Sequence, residues 1–178
     1  MKIYSYDPSK DDDLKKFYAD LSRESEKGAV ITSYAFIEEM LKEILQKRLI
    51  IDQKKEMNGR INGLRGKLLI LLCFAVGGLT EKEKDDIMTI CDIRNDFGHK
   101  RCIKDFGNKE ISDKCNKLRP IMLTVELTAR RKFDAHVLYY LQILKLKSLQ
   151  TRRIRLVERE RPLSMAMLET LMMPAWKA

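Results

Sequence analysis

Histidine is nearly missing from this chain. There are two, His99 and His136, in 178 residues. The four cysteines (Cys73, Cys91, Cys102 and Cys115) include no CxxC pair. Zinc centres draw three or four ligands from these residue types at short spacings, so no metal site is expected. Glycine (8) and proline (4) are also scarce, which excludes a turn-rich β-sandwich. There is no Walker loop and no glycine-rich dinucleotide fingerprint, so no cofactor is expected. The most apolar run, Leu68 to Val76, is about half the roughly 20 residues of a membrane span. Met1-Lys2-Ile3-Tyr4 does not open a signal peptide, and a cytoplasmic protein with reduced thiols is the expectation.

Helix formers and positive charge are abundant. The formal net charge is +9 and the isoelectric point about 9.4. A basic balance makes an anionic partner plausible, with nucleic acid ahead of membrane. The charge is uneven: Arg130 to Arg161 holds ten basic residues against three acidic ones, a net +7. The length favours one domain, over 11–149, with an extension over 150–178 that is basic and then Met-rich.

Apolar spacing predicts an all-α fold. Asp11-Asp12-Asp13 caps a short helix carrying Leu14, Phe17, Tyr18 and Leu21. A longer helix from about Ser25 to Leu49 carries Ala29, Val30, Tyr34, Ile37, Met40, Leu41, Ile44 and Leu45 at i, i+3/i+4 spacing. Asp52 to Gly63, polar with two glycines, reads as a loop. The all-round apolar run from Leu68 suggests a buried central helix, stopped by Gly77-Gly78. Thr80 and Glu83 form a capping box for a helix from Glu81 to about Phe97, with Ile87, Ile90, Cys91 and Ile93 inward. Lys100 to Lys109 reads as a connection and Ile111 to Leu118 as helical. Pro120 can open a helix continued by Met122, Val125, Leu127 and Phe133, and Ala135 to Leu149 is a last helix. No strand set is evident. His136 has no partner at useful spacing and reads as structural or surface.

Chemistry concentrates in Arg94-Asn95-Asp96-Phe97-Gly98-His99. Asn95 and His99 are four apart and share a helix face. Arg94 and His99 are five apart, about 140° around a helix and about 7.5 Å along it. A guanidinium grips phosphate through paired N–H donors, an imidazole exchanges a proton, and an amide orients either. RNA carries its own nucleophile in the 2′-hydroxyl, so this set suffices for strand cleavage without a metal. Lys100 and Arg101 add candidate phosphate contacts. The alternative is structural: Arg94 pairs with Asp92 or Asp96, and His99 meets the negative end of its helix.

Arg94-Asn95-x-x-x-His99 resembles the R-x4-6-H motif of HEPN domains. That resemblance implies a helical bundle that dimerises, with two motifs facing each other in one composite site. It also implies a metal-independent endoribonuclease of the kind found in toxin–antitoxin and defence systems, with an antitoxin or other protein partner. A wider stretch, from Phe17 to about Leu118, is similar to the mannitol operon repressor (MltR) family. It rests on Leu21-Ser22-Arg23-Glu24-Ser25-Glu26-Lys27-Gly28-Ala29, then Ile37-Glu38-Glu39-Met40-Leu41, then Ile93 to His99. Gly98 stands where that family usually has Ala, which would loosen the helix end and move His99. The resemblance implies that Glu24 and Lys27 lie near Arg94, with Glu24 either orienting it through a salt bridge or only occupying the first turn of a helix. It also keeps open a non-catalytic transcriptional regulator acting through protein partners. No helix-turn-helix signal accompanies it.

Overall fold

A computed structural model describes residues 12–21, 23–50, 54–100, 103, 105–119, 127–150 and 154–155. Among them are seven helices: α1 (Asp12–Leu21), α2 (Glu26–Arg48), α3 (Lys54–Gly63), α4 (Gly66–Ala75), α5 (Glu81–His99), α6 (Lys109–Lys117) and α7 (Ala129–Gln150). The fold is all-α. Two two-residue strands add a parallel bridge, with β1 (Leu49–Ile50) pairing Leu49 to Ile154 and Ile50 to Arg155 of β2 (Ile154–Arg155). This bridge draws part of the 150–178 extension to the end of α2.

α2 is the hub. It lies along α7 and also touches α1, α3, α4 and α5. Its buried stripe (Ala29, Val30, Tyr34, Ile37, Leu41, Ile44, Leu45) recurs every three or four residues, as one helix face requires. Phe17 and Leu21 of α1 are buried, while the side chains of Leu14 and Tyr18 lie outside the described residues. α4 was expected at the centre and is not there. It buries Leu69, Ile70, Leu72 and Cys73 but turns Leu71, 44% exposed, and Phe74 outward. A ten-residue helix packed on α2 and α5 has one side left over, whatever its hydropathy.

The region expected to be a loop, 52–63, contains α3. Its two glycines disfavour a helix, but neither Gly59 nor Gly63 sits where a side chain is needed. Ile61, 3% exposed, ties it to the core, and contact with α2 outweighs weak propensity. α4 stops as read. Gly77 has φ +71°, Gly78 N–H donates to Cys73 O (2.7 Å) and Gly77 N–H to Phe74 O (2.8 Å), a Schellman closure. α7 begins at Ala129, earlier than read, and takes in buried Phe133. Met122, Val125, Cys102 and Arg101 lie outside the described residues, as does the tail apart from 154–155.

Candidate functional site

α5 carries the motif, and its two ends fix where the motif sits. At the start, Thr80 N–H donates to Glu83 Oε2 (2.7 Å) and Glu83 N–H to Thr80 Oγ1 (3.3 Å), the expected capping box. Lys147 of α7 donates to the same Glu83 oxygen (2.7 Å). One turn on, buried Asp86 accepts from Arg119 Nε (2.8 Å) and from the Tyr140 hydroxyl. At the far end, Phe97 stacks at a tilt on Phe106 (5.2 Å), which stacks on Phe133 of α7 (5.3 Å). Phe106 N–H donates to Glu26 Oε2 at the start of α2 (2.6 Å). α5 is thus tied to α7 at its start and, through Phe106, to α7 and the start of α2 at its far end.

Carboxylates near the motif are already engaged. Asp92 pairs with Lys67 of α4 (2.7 Å). Asp96 is buried, accepts from Lys114 of α6, and pairs with Lys100 (3.0 Å). Burial raises the Asp96 pKa, but the bonds from Lys114 and Lys100 outweigh it and hold it below the usual carboxylate range. Arg94, two residues from each and so turned to another side of the helix, pairs with neither Asp92 nor Asp96. Its Nη1 donates to Asn95 Oδ1 (3.1 Å), and its guanidinium carbon lies 6.0 Å from the centre of the Tyr34 ring. Asn95 turns its amide nitrogen toward Cys91 Sγ (3.7 Å). Arg94 and Asn95 are half-buried, and His99 is exposed in the last turn.

Not every expected member joins this group. Lys100 pairs with both Asp96 and Glu110 (2.5 Å), so two carboxylates already occupy the ammonium that was expected to meet phosphate. Glu24 lies over Gly28 in the first turn of α2, and Lys27 is exposed there. Among the described residues neither is bonded to Arg94, and Lys27 is seven residues, about 10 Å of helix, from Tyr34. Gly98 does not break α5. The helix runs through His99, and Gly98 is not among the glycines with positive φ. His99 therefore keeps its regular helical position relative to Arg94.

Tyr34 is the residue that sequence reasoning placed only in the core. It is 2% exposed, and its hydroxyl lies beside the Cys91 thiol without a hydrogen bond of full geometry. Burial and the neighbouring Cys91 thiol push its ionisation well above that of a free phenol. Burial likewise raises the Cys91 pKa. Both groups stay neutral beside the cation. Nothing in the spacing linked residue 34 to residue 94, because the link is made by helix packing. His136 is structural, with Nδ1 2.6 Å from Lys132 O and Nε2 2.5 Å from Arg119 O.

Among the described residues no group of three His, Cys, Asp or Glu side chains could hold a metal ion. No helix among them is long and apolar enough to cross a membrane. No protein-family model, curated protein or solved structure matches the chain.

Proposed function

We propose that this protein is a HEPN-like, metal-independent endoribonuclease working as a homodimer. The carrying observation is that Arg94 has no carboxylate partner among the described residues: Asp92 and Asp96, two residues away along α5, face other sides of the helix and pair with Lys67, Lys100 and Lys114. A half-buried guanidinium with spare donors is suited to an anion, and phosphate matches its fork.

The reaction is transesterification. The ribose 2′-oxygen attacks the adjacent phosphorus and the bond to the 5′-oxygen breaks. The 2′-proton passes to a base and the 5′-oxygen receives a proton. A 2′,3′-cyclic phosphate and a 5′-hydroxyl remain. Arg94 stabilises charge on the phosphorane, and His99 moves one of the two protons. In a dimer with facing motifs, the second copy's His99 moves the other. Asn95 acts on Arg94 here, since its carbonyl oxygen points at the guanidinium.

Purified protein incubated with varied RNAs in EDTA should yield cyclic-phosphate ends. Arg94→Ala and His99→Ala should each lower the rate by about 100-fold or more. The second reading is a non-catalytic regulator of the same fold. It is favoured by the His99 ring, to which no side chain is bonded among the described residues, since acid–base histidines are commonly held by a partner group. Intact RNA after prolonged incubation, together with tight binding of a protein partner, would establish that reading instead.

A further inference from the structure

We infer that Tyr34, acting with Asn95, is a positioning residue that holds the Arg94 guanidinium in an anion-ready conformation without neutralising it. The inference rests on the nuclease reading for its functional consequence, and on geometry alone for the positioning itself.

An arginine side chain is long and loses much freedom when it grips an anion. Fixing it beforehand lowers that cost. A carboxylate is the usual anchor, but it would use up the charge the site needs. Here the anchors are neutral. On one side Asn95 Oδ1 accepts from Nη1 at 3.1 Å. On the other the Tyr34 ring stands 6.0 Å from the guanidinium carbon, at the edge of cation–π range. The Asn95 amide has one workable orientation. Its oxygen must face the guanidinium, since the reverse would set donor against donor, and its nitrogen then points at Cys91 Sγ (3.7 Å). Tyr34 is itself packed in the stripe of α2 that faces the core. Its hydroxyl lies beside the Cys91 thiol and makes no hydrogen bond to Arg94 or Asn95, so the ring, and not the O–H, does the holding.

The test compares Tyr34→Phe, Tyr34→Leu and Asn95→Ala in the full chain. The Arg94 Nε–H resonance of 15N-labelled protein, assigned by its disappearance in Arg94→Lys, reports the guanidinium directly. Tyr34→Phe should leave that resonance and its order unchanged. Tyr34→Leu should move it, by removing the ring current, and make it more mobile. Asn95→Ala, a half-buried site tolerant of truncation, should raise mobility by a separate route, which covers the case in which Tyr34→Leu does not fold. On RNA, Tyr34→Leu and Asn95→Ala should lower kcat about three- to thirtyfold, with Tyr34→Phe near wild type. An Arg94 signal unmoved in folded Tyr34→Leu and in Asn95→Ala would overturn the inference. If wild-type protein cleaves no RNA, the nuclease reading fails, and the resonance still decides whether Tyr34 and Asn95 fix Arg94.

Discussion

A single missing methyl group bears on the motif. Gly98 is helical and exposed, and a Cβ added there would meet nothing within 4 Å. Its φ is not in the left-handed region, so glycine is not required by the backbone. Glycine in a helix interior costs about 0.5–1 kcal/mol relative to alanine, mostly through unfolded-chain entropy. Gly98→Ala is therefore expected to stabilise the protein by roughly that amount, read as a higher denaturant midpoint at unchanged m value. Because His99 already lies in the same continuous helix, the variant should not relocate it. Any activity should persist, and its loss would mean that fraying at this turn matters.

At the scale of elements, α5 is held by ion pairs whose strength depends on pH. Asp96 joins α5 to α6 through Lys114, while Lys100 ties the end of α5 back to Glu110. Asp96 has a depressed folded pKa, so the unfolded chain binds its proton at the higher pH. The stabilisation is complete above the unfolded value of about 3.9 and is lost as pH falls through the folded value. Denaturant titrations from pH 5 down to pH 2 should show this acid-side loss. Asp96→Asn should flatten it and cost about 1–3 kcal/mol at neutral pH, because Lys114 loses its charged acceptor. An unchanged acid profile would place the acid sensitivity in other carboxylates, such as Glu83, which burial raises but the Lys147 bond lowers further.

Across the whole molecule, the tertiary structure redistributes the charge that composition reports. The basic stretch from Arg130 to Arg161 is only partly a free cationic surface. Arg130 bonds Asp134 (2.8 Å), Lys132 bonds Asn116 (2.7 Å) and Lys147 bonds Glu83 (2.7 Å). The residues after Gln150, with six basic and three acidic side chains, add a net +3 that could meet nucleic-acid phosphates. Deleting them should weaken RNA binding and make the slope of log K against log salt shallower by about 2, if three net charges meet single-stranded phosphate. The same deletion removes β2, the pairing partner of β1. Equal binding and equal slopes for both lengths would remove the tail from the interface.

The amino-acid sequence alone determined most of the helices, α3 and the start of α7 excepted, and the stop of α4. Periodic apolar spacing, the Thr80–Glu83 box and Gly77 act within a few residues of chain, so their physics is written locally. It also placed Arg94 and Asn95 on one helix with His99 at or just past its end, since their separation is fixed by helical rise and turn. Only the tertiary structure decided which helix is central, because burial depends on what packs against α2 and α4 from far along the chain. Only it assigned Asp92 to Lys67, Asp96 to Lys114 and Lys100, and the Tyr34 ring to Arg94. Those partners lie 4 to 60 residues from the motif residues they meet, and apart from the Lys100 pair one turn away, no local spacing encodes the choice.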